Sequence, residues 1–343
     1  MGKEVNSSML RCKNRKKLAE VVPIATPFLV NLEPTNLCNF KCRFCPTGHP
    51  DLLKKVGRRP VSMTLELFKK AVDDMKCFPE KNKVVNLYKD GEPLLHKNFP
   101  AMYAYLKNAE VAERIIVKTN GALLTPELSD KILDAGITQL DISVEAVNKE
   151  GYKKLSQVDI DYDEFLDNIR YFHSRRKNCK LYIKIIDAAL TPEEKEKFVS
   201  DFAPICDEYA IEQITGWSYS ELNDFTLGMQ SETAFAGDKL IDKMVCPLTL
   251  YALAINSDGT VSICCCDWAH KTLVGDLTGE SLLEVWHGQR LKEFRLLHLR
   301  GMRQENPACR DCILMKSAPD NVDADADKII QALQNAESNA EQI

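Results

Sequence analysis

The sequence lacks any run approaching the roughly 20 apolar residues that cross a bilayer. Its first residues mix charge with small polar groups and contain no apolar core of an export signal. Nor is there an excess of positive charge. The 45 Lys and Arg stand against 50 Asp and Glu, a net charge of −5 that gives no reason to expect a nucleic-acid partner. These absences predict a cytoplasmic, globular protein with no membrane and no nucleic-acid partner. Basic residues do gather near the start (Arg11, Lys13, Arg15, Lys16, Lys17), and read as a solvated helix face rather than a membrane patch. What the chain has in excess is cysteine, 13 in 343 residues. The number is odd and no export signal accompanies it, so clustered thiols point to metal or redox chemistry rather than to disulfides.

From about residue 27 to 214 short β runs alternate with amphipathic helices. The runs are Phe28–Leu32, Val84–Tyr88, Arg114–Lys118, Gln139–Val144, Leu181–Ile186 and Tyr209–Ile214. Helix starts are marked by Thr125-Pro126 and by the capping box Thr191-Pro192-Glu193-Glu194, with Gly136 as a stop. Repeated β-then-α units imply a parallel sheet with helices outside it. Six units are too few for a closed eight-stranded barrel and predict an α/β fold, a partial (β/α)6 barrel. The rhythm stops near residue 215. A hairpin follows, Tyr251–Asn256 and Thr260–Cys266 around Ser257-Asp258-Gly259, then one helix over Ser281–Leu299. The expected organisation is an N-terminal segment 1–26, a barrel 27–215, a linker 216–245, a C-terminal unit 246–318 and a tail 319–343 that is a frayed terminal helix or disordered.

Cys38, Cys42 and Cys45 form C-x3-C-x2-C after the first strand. Three thiolates within eight residues can wrap one soft-metal site. On a four-iron cubane they leave one iron open to a non-protein ligand, whereas a four-cysteine site is closed. A zinc site recruiting a distant fourth residue is the alternative.

The segment Cys38-Asn-Phe-Lys-Cys42-Arg-Phe-Cys45 resembles the signature of radical S-adenosylmethionine (SAM) enzymes, with Phe44 at its aromatic position. The resemblance extends over roughly residues 27–318. It implies a [4Fe–4S] cluster that binds SAM, cleavage of SAM to a 5′-deoxyadenosyl radical, and a cluster at the C-terminal ends of the barrel strands, where barrel active sites lie. Gly91-Glu92-Pro93 looks like the segment that receives the SAM amino group, with Glu92 accepting charge-assisted bonds. By the same resemblance Asn120 and Ser143, and more weakly Glu145, face the methionyl carboxylate and ribose. Each could instead be an ordinary turn or strand-end residue.

Cys246, Cys264, Cys309 and Cys312 remain, seventeen residues separating the first two and two the last two. Gly259 and Cys264 resemble the G-x4-C element of SPASM and twitch extensions. Nothing thiol-bearing follows Cys312, so the supply suits one auxiliary [4Fe–4S] cluster, as in single-cluster twitch dehydrogenases. Structural zinc on the same thiols is the alternative. On a strand, Cys264 and Cys266 would share a face with Cys265 turned away. Cys266 could then replace Cys264, although the spacing favours Cys264. Cys12, Cys77, Cys179 and Cys206 stand alone and read as incidental thiols.

A fully ligated auxiliary cluster suits electron transfer. The resemblance therefore implies hydrogen abstraction followed by two-electron oxidation of a sugar, cyclitol or similar polyol, with an external donor such as flavodoxin or ferredoxin. A peptide-modifying enzyme is the other reading. The N-terminal recognition domain common among such enzymes finds no room in the 26 residues before the first strand. Lys184 is a candidate base if it faces the lumen rather than the outer surface, and Lys89 and Asp90 are others.

Overall fold

The computed structural model describes residues 1–6, 16–188, 190–229, 231–234, 237 and 239–340, with 336–340 as backbone alone. The expected basic helix face falls largely outside these, with Arg11, Lys13 and Arg15, as does Cys12. Lys16 and Lys17 precede a short helical turn, Leu18–Val21.

Ten strands form one sheet: β1 (Lys3–Glu4), β2 (Leu29–Leu32), β3 (Val84–Asn86), β4 (Ile115–Thr119), β5 (Gln139–Val144), β6 (Lys180–Ile186), β7 (Glu208–Glu212), β8 (Ala252–Ile255), β9 (Thr260–Ser262) and β10 (Leu273–Asp276). The six from β2 to β7 are parallel and lie side by side in chain order. Helices α1 (Leu65–Met75), α2 (Phe99–Asn108), α3 (Pro126–Asp134), α4 (Tyr162–Arg175) and α5 (Pro192–Phe202) alternate with them. The sequence places the starts well. Thr125 accepts from the Leu128 N–H, and Thr191 and Glu194 make both halves of a capping box.

The strands are built on a period of two. Val30, Leu32, Val85, Val117, Leu140, Ile142, Val144, Leu181, Ile183 and Ile185 are fully buried, and join one core with Phe68, Met102 and Ile169 of the helices. Each such side chain contributes roughly 1.5–3 kcal/mol. The intervening residues face the other way, into the lumen.

The sheet also grows at both ends. β1 adds parallel to β7, and β8 of the C-terminal unit adds parallel to β2. The expected hairpin is therefore part of the barrel's own sheet, with β9 antiparallel to β8 and β10 antiparallel to β9.

Two expectations are corrected, and one alternative is resolved. The long helix is two, α6 (Leu282–His287) and α7 (Gln289–Leu299), because Gly288 takes an extended conformation between them. Glycine is a poor helix former, and a Cβ there would meet the Glu284 carbonyl at 2.7 Å. Of the two readings of the tail, the terminal helix is the one observed, as α8 (Ala326–Ala340). Val322, Ala326 and Ile329 bury against Val245, Leu250 and Leu299 and against Leu18 and Val22, the last two some three hundred residues earlier in sequence. Ile329→Ala is expected to cost about 2–5 kcal/mol in chemical denaturation. The strand expected to run to Cys266 stops at Ser262, for a reason that belongs to the site.

Candidate active site and auxiliary cysteine site

The lumen positions are unusual for a parallel sheet, whose strands normally read as continuous apolar runs. Asn86, Tyr88 and Asp90 follow one another at alternate positions, as do Lys118 and Asn120, and Asp141, Ser143 and Glu145. All line one cavity of about 1460 Å³ that runs along the strands from Val84 and Arg114 at their starts to Asp90, Asn120 and Glu145 at their ends. Cys38, Cys42, Cys45, Phe44, Gly91, Glu92, Lys89 and Lys184 line it too. Pro93 does not; it is buried as the first residue of a 3-10 turn, Pro93–Leu95.

The cysteine loop after β2 is held from several sides. Its backbone bonds to the end of a short helix, Lys149–Leu155, through Arg43 N–H to Leu155 O at 3.0 Å, and Lys41 N–H bonds to Ser156 O. Phe40 meets Tyr152 edge-on. Gly91 is required where it stands, since a Cβ there would meet the carbonyl oxygens of Thr35 and Leu37 at 2.4 Å. Glu92 ties the neighbours together. Its Oε1 accepts from Leu94 N–H and Thr119 Oγ1 at 2.9 and 2.7 Å, and its Oε2 from Asn120 N–H at 2.7 Å. Asn120 Nδ2 then donates to Asn39 Oδ1 in the cysteine loop at 2.8 Å.

Burial raises all three thiols, Cys38 to about 12 and Cys45 to about 11. Each sulfur has a polar neighbour: Phe40 N–H at 3.4 Å from Cys38, Ser156 Oγ at 3.3 Å from Cys42, and Thr47 Oγ1 at 3.0 Å from Cys45. Three soft donors without a local fourth, each hydrogen-bonded at sulfur, suit an iron–sulfur centre. A bound metal, by deprotonating the thiols, would offset the cost of burial.

Cys246, Cys264, Cys309 and Cys312 come together around a second, small cavity of about 30 Å³. Cys266 is not among them; with Cys265 it lines the large cavity. The strand-face expectation fails because the backbone turns. Asp267 accepts from Lys271 N–H at 2.9 Å, and from Thr272 N–H and Oγ1 at 2.7 and 2.8 Å, closing a loop over residues 264–272. The loop is tied to the barrel by Lys89 Nζ, which donates to Asp267 O at 3.3 Å, and by Arg58, which donates to Trp268 O at 3.0 Å. Burial pushes Cys246 up to about 12 and also raises Cys309 and Cys312. These four cysteines share one small cavity, and the sulfurs of Cys264, Cys265 and Cys266 also lie within 4.8 Å of one another; four cysteine thiolates make a complete soft-metal ligand set.

The Radical SAM superfamily matches the sequence over residues 32–194, and the iron–sulfur cluster-binding SPASM domain over residues 246–313. The chain belongs to the radical SAM superfamily. It is a radical SAM enzyme with a C-terminal SPASM domain, and SAM, a [4Fe–4S] cluster and auxiliary iron–sulfur chemistry come with that membership. Among curated proteins it is similar to the GTP 3′,8-cyclase of Aeromonas hydrophila, 29% identical over 38% of this chain and 37% of that protein. It is 27% identical to the Fe-coproporphyrin III synthase of Methanosarcina barkeri over 35% of this chain and 27% of that protein. The matches thus span well under half of those relatives' length. Two solved structures share the fold. BtrN, in complex with AdoMet and 2-DOIA, aligns at a TM-score of 0.53 and 16% identity over 83% of this chain and 92% of that one. Streptococcus suis SuiB, bound to S-adenosylmethionine, aligns at 0.61 and 14% identity over 88% and 74%. No helix among the described residues is long and apolar enough to cross a membrane.

The radical SAM lumen also holds residues that sequence reasoning passed over: Tyr88, Lys118, Glu212 and Cys265. Only the alternation of polar residues along the strands could have flagged the first two. Lys184 faces the lumen, and its Nζ donates to Glu212 Oε2 at 2.6 Å. Burial alone would raise Glu212, but Lys184, Lys118 and Tyr182 outweigh it and hold the carboxyl at about 2. Lys184→Met leaves that carboxylate without its ammonium and is expected to cost about 3 kcal/mol in chemical denaturation. Adding Glu212→Gln is expected to recover at least half, which a double-mutant cycle would show.

Glu145 is the opposite case. Burial raises it to about 7 against a smaller lowering by Lys184, and its Oε2 has no hydrogen-bond partner among the described residues. The folded carboxyl holds its proton up to about 7 and the unfolded one releases it near 4.5, so Glu145 removes stability as pH rises through that window. Without SAM, Glu145→Gln is expected to be more stable than wild type at pH 8, by up to about 3 kcal/mol, and equal to it at pH 4. Thermal melts of both proteins across that range check the sign.

Proposed function

We propose that this protein oxidises a small polyhydroxylated substrate by two electrons. Cys38, Cys42 and Cys45 would hold the SAM-binding cluster. Glu92, Asn120, Ser143 and Glu145, with Phe44, Gly91 and Pro93 shaping the loop walls, would receive SAM. Cys246, Cys264, Cys309 and Cys312 would hold one auxiliary [4Fe–4S] cluster. When bound, these groups supply a 5′-deoxyadenosyl radical that removes a substrate hydrogen, and an acceptor for the electron left behind.

The observation that carries the reading is the pair of cavities. Four cysteines line the small one, and a cluster held by all four would have no coordination position left for substrate, which favours electron transfer. The large cavity beside them has a polar lumen able to orient hydroxyl groups. Lys184 and Glu212 are locked to each other, and Glu212 at about 2 resists taking the lysine proton near neutral pH. The pair is therefore assigned to orienting substrate oxygens, and the hydroxyl proton lost in the two-electron oxidation would pass to solvent. An external one-electron donor of the flavodoxin or ferredoxin kind is the expected partner.

The volume of about 1460 Å³ exceeds the 300–1,000 Å³ common for small-molecule sites. SAM would fill part of it, and the remainder also suits a peptide segment, the second reading. The test is anaerobic incubation of reconstituted protein with SAM, reductant and a panel of deuterated sugars and cyclitols, beside a panel of peptides. Deuterium entering 5′-deoxyadenosine, with a substrate product lighter by two hydrogens, supports oxidation of a polyol. Turnover of peptides alone would sink it.

A further inference from the structure

The auxiliary cysteine cavity has a fifth polar resident. His298, on α7, is fully buried and lines the same small cavity as Cys246, Cys264, Cys309 and Cys312. Its ring is fixed on two sides. It stacks on Phe294, with centroids 5.1 Å apart and planes inclined by 25°. The backbone N–H of Cys246 donates to its Nδ1 at 3.4 Å. That bond assigns the tautomer, because an Nδ1 that accepts has no hydrogen, so a neutral ring carries its hydrogen on Nε2. Yet Nε2 is buried and has no hydrogen-bond partner among the described residues. Buried N–H donors are almost always paired, and one left over calls for an acceptor that binds there.

We infer that the His298 Nε2–H donates a hydrogen bond to a sulfur of the auxiliary cluster. The inference rests on the two-cluster reading and deepens it. A donor on a cluster sulfur stabilises the reduced, more negatively charged state and raises the potential. His298 is thus a positioning and tuning residue rather than a ligand: with its hydrogen on Nε2, that atom has no lone pair to give to iron. The bond to Cys246 N–H adds rigidity, since the ring is held by the backbone of the residue whose thiol it stands beside.

The test uses the reconstituted full chain, wild type, His298→Phe and His298→Gln. The auxiliary signal is recognised in EPR redox titrations as the one that SAM does not shift. Phenylalanine keeps a ring and removes the donor; glutamine keeps an N–H. The midpoint of His298→Phe is expected to fall by at least a tenfold change in the one-electron equilibrium, about 59 mV, with glutamine restoring most of it. In wild type labelled with ¹⁵N-histidine, pulsed EPR is expected to show a weak nitrogen coupling that both variants lose. This second measurement decides the matter if His298→Phe fails to fold or load iron. An unchanged midpoint in a loaded His298→Phe would overturn the inference. So would the absence of nitrogen coupling, or a strong coupling of directly bound nitrogen. Iron analysis separates the failures. About four irons per chain would overturn it together with the two-cluster reading, whereas about eight irons without coupling would overturn it alone.

Discussion

Alanine at Cys38, Cys42 or Cys45 is expected to reduce reductive cleavage of SAM to the background of the reductant, a loss greater than about 100-fold. That bound follows because partners one shell out from a metal already cost 10–100-fold, and these thiols stand one shell further in. No nearby residue can take over. The loop is fixed by Gly91 against its backbone and by the bond from Asn120 to Asn39, and the described residues place no fourth cysteine on it. 5′-Deoxyadenosine measured by chromatography is the readout, beside iron content. Retained cleavage in all three variants would refute the assignment of the site.

The second large effect is compositional. Wild type reconstituted anaerobically is expected to carry about eight irons per chain. Serine at Cys246, Cys264, Cys309 or Cys312 is expected to lower this toward about four. Serine at Cys265 or Cys266 is expected to leave about eight, because those thiols line the large cavity and not the small one. The contrast between Cys264→Ser and Cys266→Ser carries the most information: the residues are two apart in sequence and belong to different cavities. Iron lost equally from both would mean that the loop rearranges around its metal.

The parts of this molecule that were readable in the sequence are those fixed by local pattern. Gln139–Val144 could be drawn as a strand because its residues alternate, whereas Ser143 and Glu145 were named by resemblance and are seen to line one cavity. The capping box at Thr191 located α5 because its two hydrogen bonds close within four residues. What stayed hidden depends on distant partners. The turn at Cys264–Cys266, closed by Asp267 N–H on Cys264 O, runs into a loop that the Asp267 carboxylate holds by gathering the N–H groups of Lys271 and Thr272. That the terminal helix α8 docks rather than frays depends on Leu18, Val245 and Leu299 beside it. Glu212 was invisible as a lumen residue because nothing around it marks which way β7 faces; only the bond from Lys184 reveals it. His298 could not be singled out, since its isolation follows from the closed cavity and not from its neighbours in the chain.

The parallel pairing of β8 with β2 has a consequence for biogenesis. The strand that launches the Cys38 loop keeps one open edge until residues 252–255 have left the ribosome, more than two hundred residues later. Unpaired edges of this kind recruit other chains, and long-range parallel pairing is slow to form. A nascent or truncated barrel ending near residue 245 is therefore expected to be the aggregation-prone species. The C-terminal unit would then act as an intramolecular chaperone for the Cys38 loop.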